Sequence, residues 1–186
     1  AASLGFEVER IDPRTFNPGR TRQAAVDRFC RDRDFAVFLT HDAVIEGPRS
    51  LIELLDAFSN PQVGAAYGRQ VPHLDASPFG SPSASFLYPP VSDIRSLADA
   101  PRHGIRTAYI SNSFAAYRIS ALRECGGFPS ALILGEDTHV ALHMLLAGWS
   151  LSYRANAMVR HSHDYSISQE MRRYFDFGVL HAQLPE

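Results

Sequence analysis

The sequence predicts an α/β fold, a mostly parallel sheet flanked by helices. Three observations predict it. Residues 34–40 hold a continuous apolar run, Phe-Ala-Val-Phe-Leu, of the kind buried in parallel sheets. Helix-period and strand-like segments alternate from 21 to 67, the spacing of β-α-β units with right-handed crossovers. The alternation resumes after 106 and continues to 181. At 186 residues the chain fits a single domain, 1–186, able to bury a real core.

The elements are expected in the following order. Residues 5–11 alternate Phe6, Val8 and Ile11 and read as a short strand. Asn17-Pro18-Gly19 is turn chemistry. Residues 21–30 read as a helix with Ala24, Ala25 and Phe29 on one face. The strand 34–40 follows and stops at Thr40-His41-Asp42. A helix carrying Leu51, Leu54, Leu55 and Phe58 runs to Asn60-Pro61, and 63–67 is the next strand. The stretch 72–101 is rich in Pro, Ser and Asp without a clean period, which predicts a long functional loop. Strands are expected at 106–110 and 114–117, then a short helix to Glu124 and a turn at Gly126-Gly127. Residues 136–147 read as a helix with Gly148 as its C-terminal cap. Short strands at 151–153 and 157–159 precede a last amphipathic helix over 168–181, carrying Met171, Tyr174, Phe175 and Val179.

Composition excludes several functions. Net charge is −2, with 20 acidic residues against 18 basic, so the chain is no DNA-coating protein and no nucleic-acid partner is expected. All 18 basic residues are arginine. A lysine Schiff base and a P-loop lysine are therefore excluded. Two cysteines, Cys30 and Cys125, cannot form a four-thiolate zinc site. No apolar run reaches the roughly 18 residues of a membrane span. The protein is expected in the cytoplasm, with room for a peripheral association at the inner face of the cell membrane.

Four groups could carry chemistry, and each has a plain structural explanation beside it. Asp42 follows the end of a buried strand, where open α/β sheets bind ligands, or it caps the next turn. Glu136 and Asp137 open a helix, where the dipole favours acids in any case. His161 and His163 could ligate a metal or close a strand as polar residues. Arg20 and Arg22, beside Gly19 and a helix start, could receive phosphates or lie solvated.

Their order along the chain is more specific than any one of them. Phe16-Asn-Pro-Gly-Arg-Thr-Arg22, Phe38-Leu-Thr-His-Asp-Ala43, Tyr67-Gly-Arg-Gln-Val-Pro72, Ile110-Ser-Asn-Ser-Phe-Ala-Ala-Tyr-Arg118, Gly126-Gly-Phe128, Gly135-Glu-Asp137 and His161-Ser-His163 follow one another. This succession resembles the inverting family 2 glycosyltransferases, and within them the bacterial rhamnosyltransferases that extend cell-envelope polysaccharide. The resemblance covers nearly the whole chain. It implies a GT-A fold, a Rossmann-like sheet binding a nucleotide-sugar with a divalent metal, Mg²⁺ or Mn²⁺, on its diphosphate. It assigns Asp42 and His161 to the metal and Asp137 to the catalytic base, with Glu136 as the alternative base. His161 lies 24 residues after Asp137, the interval expected of that ligand. Arg20 and Arg22 fall near the nucleotide. Arg69, Gln70, Ser111 and Asn112 are candidates for sugar and phosphate contacts, and His163 for orienting a neighbour or the diphosphate. The metal motif carries one carboxylate where two are common, and Gln23 replaces a common Asn. The family's first β-α-β segment is not seen before Gly5, so the chain is expected to be a fragment.

The expected reaction transfers a sugar, rhamnose being favoured, from a donor such as dTDP-rhamnose to a glycan or glycolipid acceptor. At a helix N-terminus, Asp137 is expected to keep a low pKa and act as a weak base. Two alternatives stay open. One is a metal-dependent hydrolase built on His41, Asp42, His161 and His163. The other is a non-catalytic nucleotide- or glycan-binding module.

Overall fold

The computed structural model describes residues 5–73, 87–132, 134–162 and 166–183. Helices are α1 (Pro18–Phe29), α2 (Ser50–Leu55), α3 (Ala100–His103), α4 (Ile119–Glu124), α5 (Glu136–Leu146) and α6 (Ile167–Gln183). Strands are β1 (Phe35–Leu39), β2 (Val44–Ile45), β3 (Val63–Val71), β4 (Asp93–Arg95), β5 (Phe114–Arg118) and β6 (Ser150–Arg160). They form one sheet in the order β1-β5-β3-β6-β2, with β4 also on β6.

The expectation of a mostly parallel sheet is corrected. Among the described strands only β3 and β6 pair in parallel; β5 lies antiparallel between β1 and β3, and β2 and β4 lie antiparallel on β6. The chain leaves β3 at Val71 and returns to the same sheet edge at Phe114, so β5 must run the opposite way. The β-α-β reading survives in the strand directions, because β1, β3 and β6 all run the same way. Their carboxyl ends therefore share one edge, which β5 enters from its amino end.

Strand β1 is not the buried centre its composition suggests. Among the described strands it pairs with β5 alone, and Val37 and Leu39 are exposed. Residues 5–11 do not form the expected strand; Phe6 and Val8 are exposed on an irregular segment. The expected strand at 106–110 is instead the 3₁₀ turn Gly104–Ala108. The two short strands expected at 151–159 are one, β6, because polar Arg154 and Asn156 broke an apolar pattern that the backbone carries through. Between Gly68 and Arg69 the β3–β6 register jumps from Arg154 to Met158, leaving a bulge on β6. On its other side β6 carries β4 over Leu151–Tyr153 and β2 over Val159 and Arg160.

Two apolar layers cover the sheet. One joins Tyr117, Ile119 and Leu122 to Val140, Met144 and Leu145 of α5 and Leu151 of β6. The other sets Leu54 and Phe58 against Val63, Phe114 and Val159. Each fully buried aliphatic side chain contributes roughly 1.5–3 kcal/mol. Helix α1 buries Gly19 and Val26 rather than the expected Ala24 and Phe29 face. Helix α5 ends as expected: Gly148 adopts φ 89°, and the N–H of Trp149 donates to the Met144 carbonyl at 2.9 Å. In α6 the apolar residues Met171, Tyr174, Phe175 and Val179 are exposed. Most of the long loop's first half, 74–86, lies outside the described residues, as does His163.

Candidate active site

The shared sheet edge gathers residues from five segments. After β1 the chain turns at Thr40-His41-Asp42, closed by an Ala43 N–H to Thr40 carbonyl bond of 3.1 Å. The imidazole of His161, just past β6, presents Nε2 to Asp42 Oδ1 at 3.5 Å. Its Nδ1 lies 2.8 Å from Gln70 Oε1 near the end of β3. The Gln70 amide nitrogen donates to Ser111 Oγ at 2.8 Å, leaving Oε1 toward the imidazole. Gln70 Oε1 is then an acceptor, so Nδ1 of His161 carries the proton. In the neutral ring the Nε2 lone pair faces the Asp42 carboxylate.

That arrangement fits a divalent cation. A carboxylate oxygen and an imidazole nitrogen 3.5 Å apart can share a proton on the ring or converge on a cation. Backing a ligating imidazole with an acceptor on its other nitrogen is the usual outer-shell device at metal centres. Among the described residues no group of three or more potential ligands forms, so Asp42 and His161 would need donors from elsewhere. His73 ties the turn down, with Nε2 3.3 Å from the Asp42 carbonyl.

The acids of α5 lie on the same edge. Gly135 adopts φ 77° to start the helix, and Glu136 and Asp137 follow in its first turn. Glu136 is buried and engaged: Arg22 NH1 donates to Oε1 at 2.7 Å, and Asn112 Nδ2 donates to the same oxygen at 3.1 Å. Tyr117, fully buried, donates its hydroxyl to Asn112 Oδ1 at 2.8 Å. Asp137 accepts the Asn112 N–H on Oδ2 at 3.2 Å and the Thr138 N–H on Oδ1 at 2.8 Å. The expected low pKa is corrected. Burial, with the neighbouring charge of Glu136, pushes Asp137 up to about 6, against the opposing N–H bonds and Arg22. Desolvation and a like charge outweigh the helix dipole.

Helix α1 delivers Arg22. Asn17 caps it by accepting the Arg20 N–H at 2.8 Å, and Pro18 takes the first helical position. The Asn17 amide also donates to the Leu132 carbonyl at 2.9 Å, and Gln23 Oε1 accepts the Phe128 N–H at 2.8 Å. These two bonds dock the helix onto the segment leading to α5. The sequence assigns no site role to His73 or Tyr117, marks Asn17 only as part of a turn, and marks Gln23 only as a replacement for a common Asn. The Asn17-Pro18 pair is the one legible signal, since it marks a helix start.

The other candidates are less closely joined. Arg20 is exposed and donates to the Thr15 carbonyl. Arg69 sits on β3, and its buried Nε has no hydrogen-bond partner among the described residues. His41 projects into solvent, 4.0 Å from Asp42. An unbroken path joins the rest, from Asp42 through His161, Gln70 and Ser111 to Asn112 and Asp137.

The family described as "Glycosyltransferase like family 2" matches residues 14–175. The chain belongs to this glycosyltransferase family. It is 45% identical over 180 residues to the O-antigen chain rhamnosyltransferase RfbN of Salmonella typhimurium, covering 97% of this chain and 57% of that protein. It is 46% identical over 175 residues to the O-antigen chain rhamnosyltransferase WbaN of Salmonella anatum, covering 94% and 55%. The glycosyltransferase chain thus spans about half the length of these relatives. Among solved structures it is similar to the mannosyltransferase PcManGT of Pyrobaculum calidifontis, in complex with GDP-Man and Mn²⁺. The TM-score is 0.59 at 17% identity, over 89% of this chain and 42% of that one. It is also similar to S. aureus TarS, with TM-score 0.61 and 16% identity, over all of this chain and 31% of that one. The fold is GT-A. Among the described residues no helix is long and apolar enough to cross a membrane.

Proposed function

We propose that this glycosyltransferase transfers rhamnose from a nucleoside-diphosphate sugar, dTDP-rhamnose being favoured, to a hydroxyl of a growing cell-envelope glycan, with inversion. The observation that carries the reading is the path from the Asp42–His161 pair to Asp137 along one sheet edge. It links the Asp42–His161 pair to a carboxylate of raised pKa, in a family whose curated relatives are named rhamnosyltransferases, and that supports the reading.

The residues divide the reaction between them. Asp137 takes the proton of the acceptor hydroxyl; a carboxylate titrating at about 6 is largely ionised at neutral pH and still basic enough to act. The N–H groups of Asn112 and Thr138 hold its two oxygens in place. Glu136 positions rather than reacts, since Arg22 and Asn112 both occupy its Oε1. Gln70 and Ser111 set the tautomer of His161. Arg20 and Arg69 supply guanidinium donors for the diphosphate, and His163 orients a neighbour or the diphosphate. A bound Mg²⁺ or Mn²⁺, held by Asp42 and His161, would supply Lewis acidity toward the leaving diphosphate. The site of action is the cytoplasm, at the inner face of the cell membrane.

The test is an assay of the full-length protein against a panel of nucleotide-sugars with a polysaccharide-precursor acceptor. Release of dTDP from dTDP-rhamnose, dependent on acceptor and on divalent metal, is expected. Transfer from no nucleotide-sugar in the panel would overturn the reading.

A further inference from the structure

A cavity of about 170 Å³ opens beside the catalytic edge and has no part in the reaction described above. Tyr67 of β3, Tyr153 of β6 and Tyr109 wall it, with Arg95 of β4, and exposed Asp93 and half-buried His103 lie at its rim. The rings are set at angles, Tyr67 and Tyr109 at 78° with centroids 5.7 Å apart, Tyr67 and Tyr153 at 37° and 5.0 Å. They present both faces and edges to the space. Arg95 is 6% exposed. It donates to the Tyr67 hydroxyl and the Tyr109 carbonyl, each at 2.8 Å, and to the Arg106 carbonyl. Its Nε has no partner among the described residues.

The chemistry narrows the occupant. Typical ligand pockets measure roughly 300–1,000 Å³, so this one takes a single ring rather than a nucleoside diphosphate. A purely apolar ring would leave the polar rim unsatisfied. The lining carries both signs, Asp93 beside Arg95, Arg106 and His103, so hydroxyls that both donate and accept match it better than a single charge does. A neutral ring with an apolar C–H face and a perimeter of hydroxyls satisfies both walls and rim. The cavity also lies close to the base. Tyr109 precedes Asn112 by three residues, and the Asn112 N–H donates to Asp137. The charge of Asp137 is among the influences that, after burial and Tyr88, hold the Tyr109 hydroxyl well above its usual pKa.

We propose that this cavity is a subsite for a neutral pyranose unit of the acceptor glycan, adjacent to the unit that receives the new sugar. The proposal rests on the reading that this chain glycosylates a glycan. Asp93 and His103 would bind hydroxyls at the rim, and the Tyr109 and Tyr153 rings would take the C–H face.

Two measurements on the full-length protein test it. The first is saturation-transfer NMR with a panel of methyl pyranosides. Signal from at least one glycoside is expected, reduced about fivefold or more in Asp93→Ala. The second is steady-state transfer, where Asp93→Ala and His103→Ala should each raise the acceptor KM about tenfold, the scale of one lost hydrogen bond to a ligand. Donor KM should stay unchanged. Tyr109→Leu should abolish glycoside binding; if it does not fold, the two rim variants decide alone. No glycoside signal, displacement of the glycoside by inorganic phosphate, or an unchanged acceptor KM in both rim variants would overturn the subsite. A protein that binds glycosides here yet transfers no sugar would instead overturn the proposed function and leave the cavity assignment standing.

Discussion

Arg22 and Glu136 stand 114 residues apart in the chain and meet at 2.7 Å, with side-chain exposures of 22% and 8%. This pair fastens the first helix to the helix that bears Glu136 and Asp137 in its first turn. Glu136 could not be buried as an anion without it, because an unpaired buried carboxylate is strongly disfavoured.

Replacing Arg22 with Ala should therefore destabilise the protein by about 3 kcal/mol, the scale for stripping one partner from a buried pair. Urea unfolding checks this. A loss below about 0.5 kcal/mol would mean that water replaces the guanidinium at no cost.

Asp137→Asn should lower transfer by roughly 10²- to 10⁴-fold, the usual cost of a lost general base, while nucleotide binding persists. In the native enzyme the rate should rise with pH through about 6, where Asp137 ionises, and the variant should lack that limb. Stability carries the opposite sign. A carboxyl whose folded pKa is raised binds its proton more tightly when folded. Its stabilising contribution is present below about 3.8 and is lost as pH rises through about 6. The native protein should then lose stability relative to Asp137→Asn between pH 4 and pH 7, as unfolding titrations would show.

Gln70→Met removes the acceptor that sets the His161 tautomer. Metal-dependent nucleotide binding should weaken about 10- to 100-fold, as for other outer-shell partners. Asp42→Asn and His161→Ala should weaken it further, and His163→Ala less than His161→Ala. Calorimetry with dTDP, with and without Mn²⁺, reads the order. A reversed order for the two histidines would move the ligand role to His163.

Gly19→Ala should cost several kcal/mol in the same unfolding assay. Its Cβ would fall 1.9 Å from the Pro129 carbonyl oxygen, a backbone atom that cannot swing aside. The helix would have to lift, and Arg22 with it, so nucleotide affinity should fall too. Unaltered stability would show that the turn at 126–132 yields freely.

Legibility in the sequence followed the range of the interactions. Helix α5 and its cap could be read from local period and glycine placement, since both depend on neighbours within a few residues. The order of strands could not. Phe35–Leu39 has the composition of a central strand, yet its pairing among the described strands depends on β5, which lies some 80 residues further on. Asp42, Asp137 and His161 were visible because their residue types are informative in themselves. The raised pKa of Asp137 was not, because it arises from burial and from Glu136, neither of which a helix-dipole argument contains. Arg22 was legible as a cation but not as the partner of Glu136, a contact that only the packed fold creates.

Strand β6 holds β3 along one side and both β4 and β2 along the other. It is also the last of the described strands to emerge during synthesis. Until residue 160 has been made, β3 has one open ladder and β2 and β4 have no strand to join. The turn at Asp42, through His161, and the tyrosine wall, through Tyr153, both lean on that strand, so they are completed in the same event. The β3–β6 ladder closes a separation of more than 80 residues, which predicts slow, late closure. A nascent or partly unfolded chain should then have no measurable affinity for donor, and ligand binding should report on the whole sheet rather than on a local pocket.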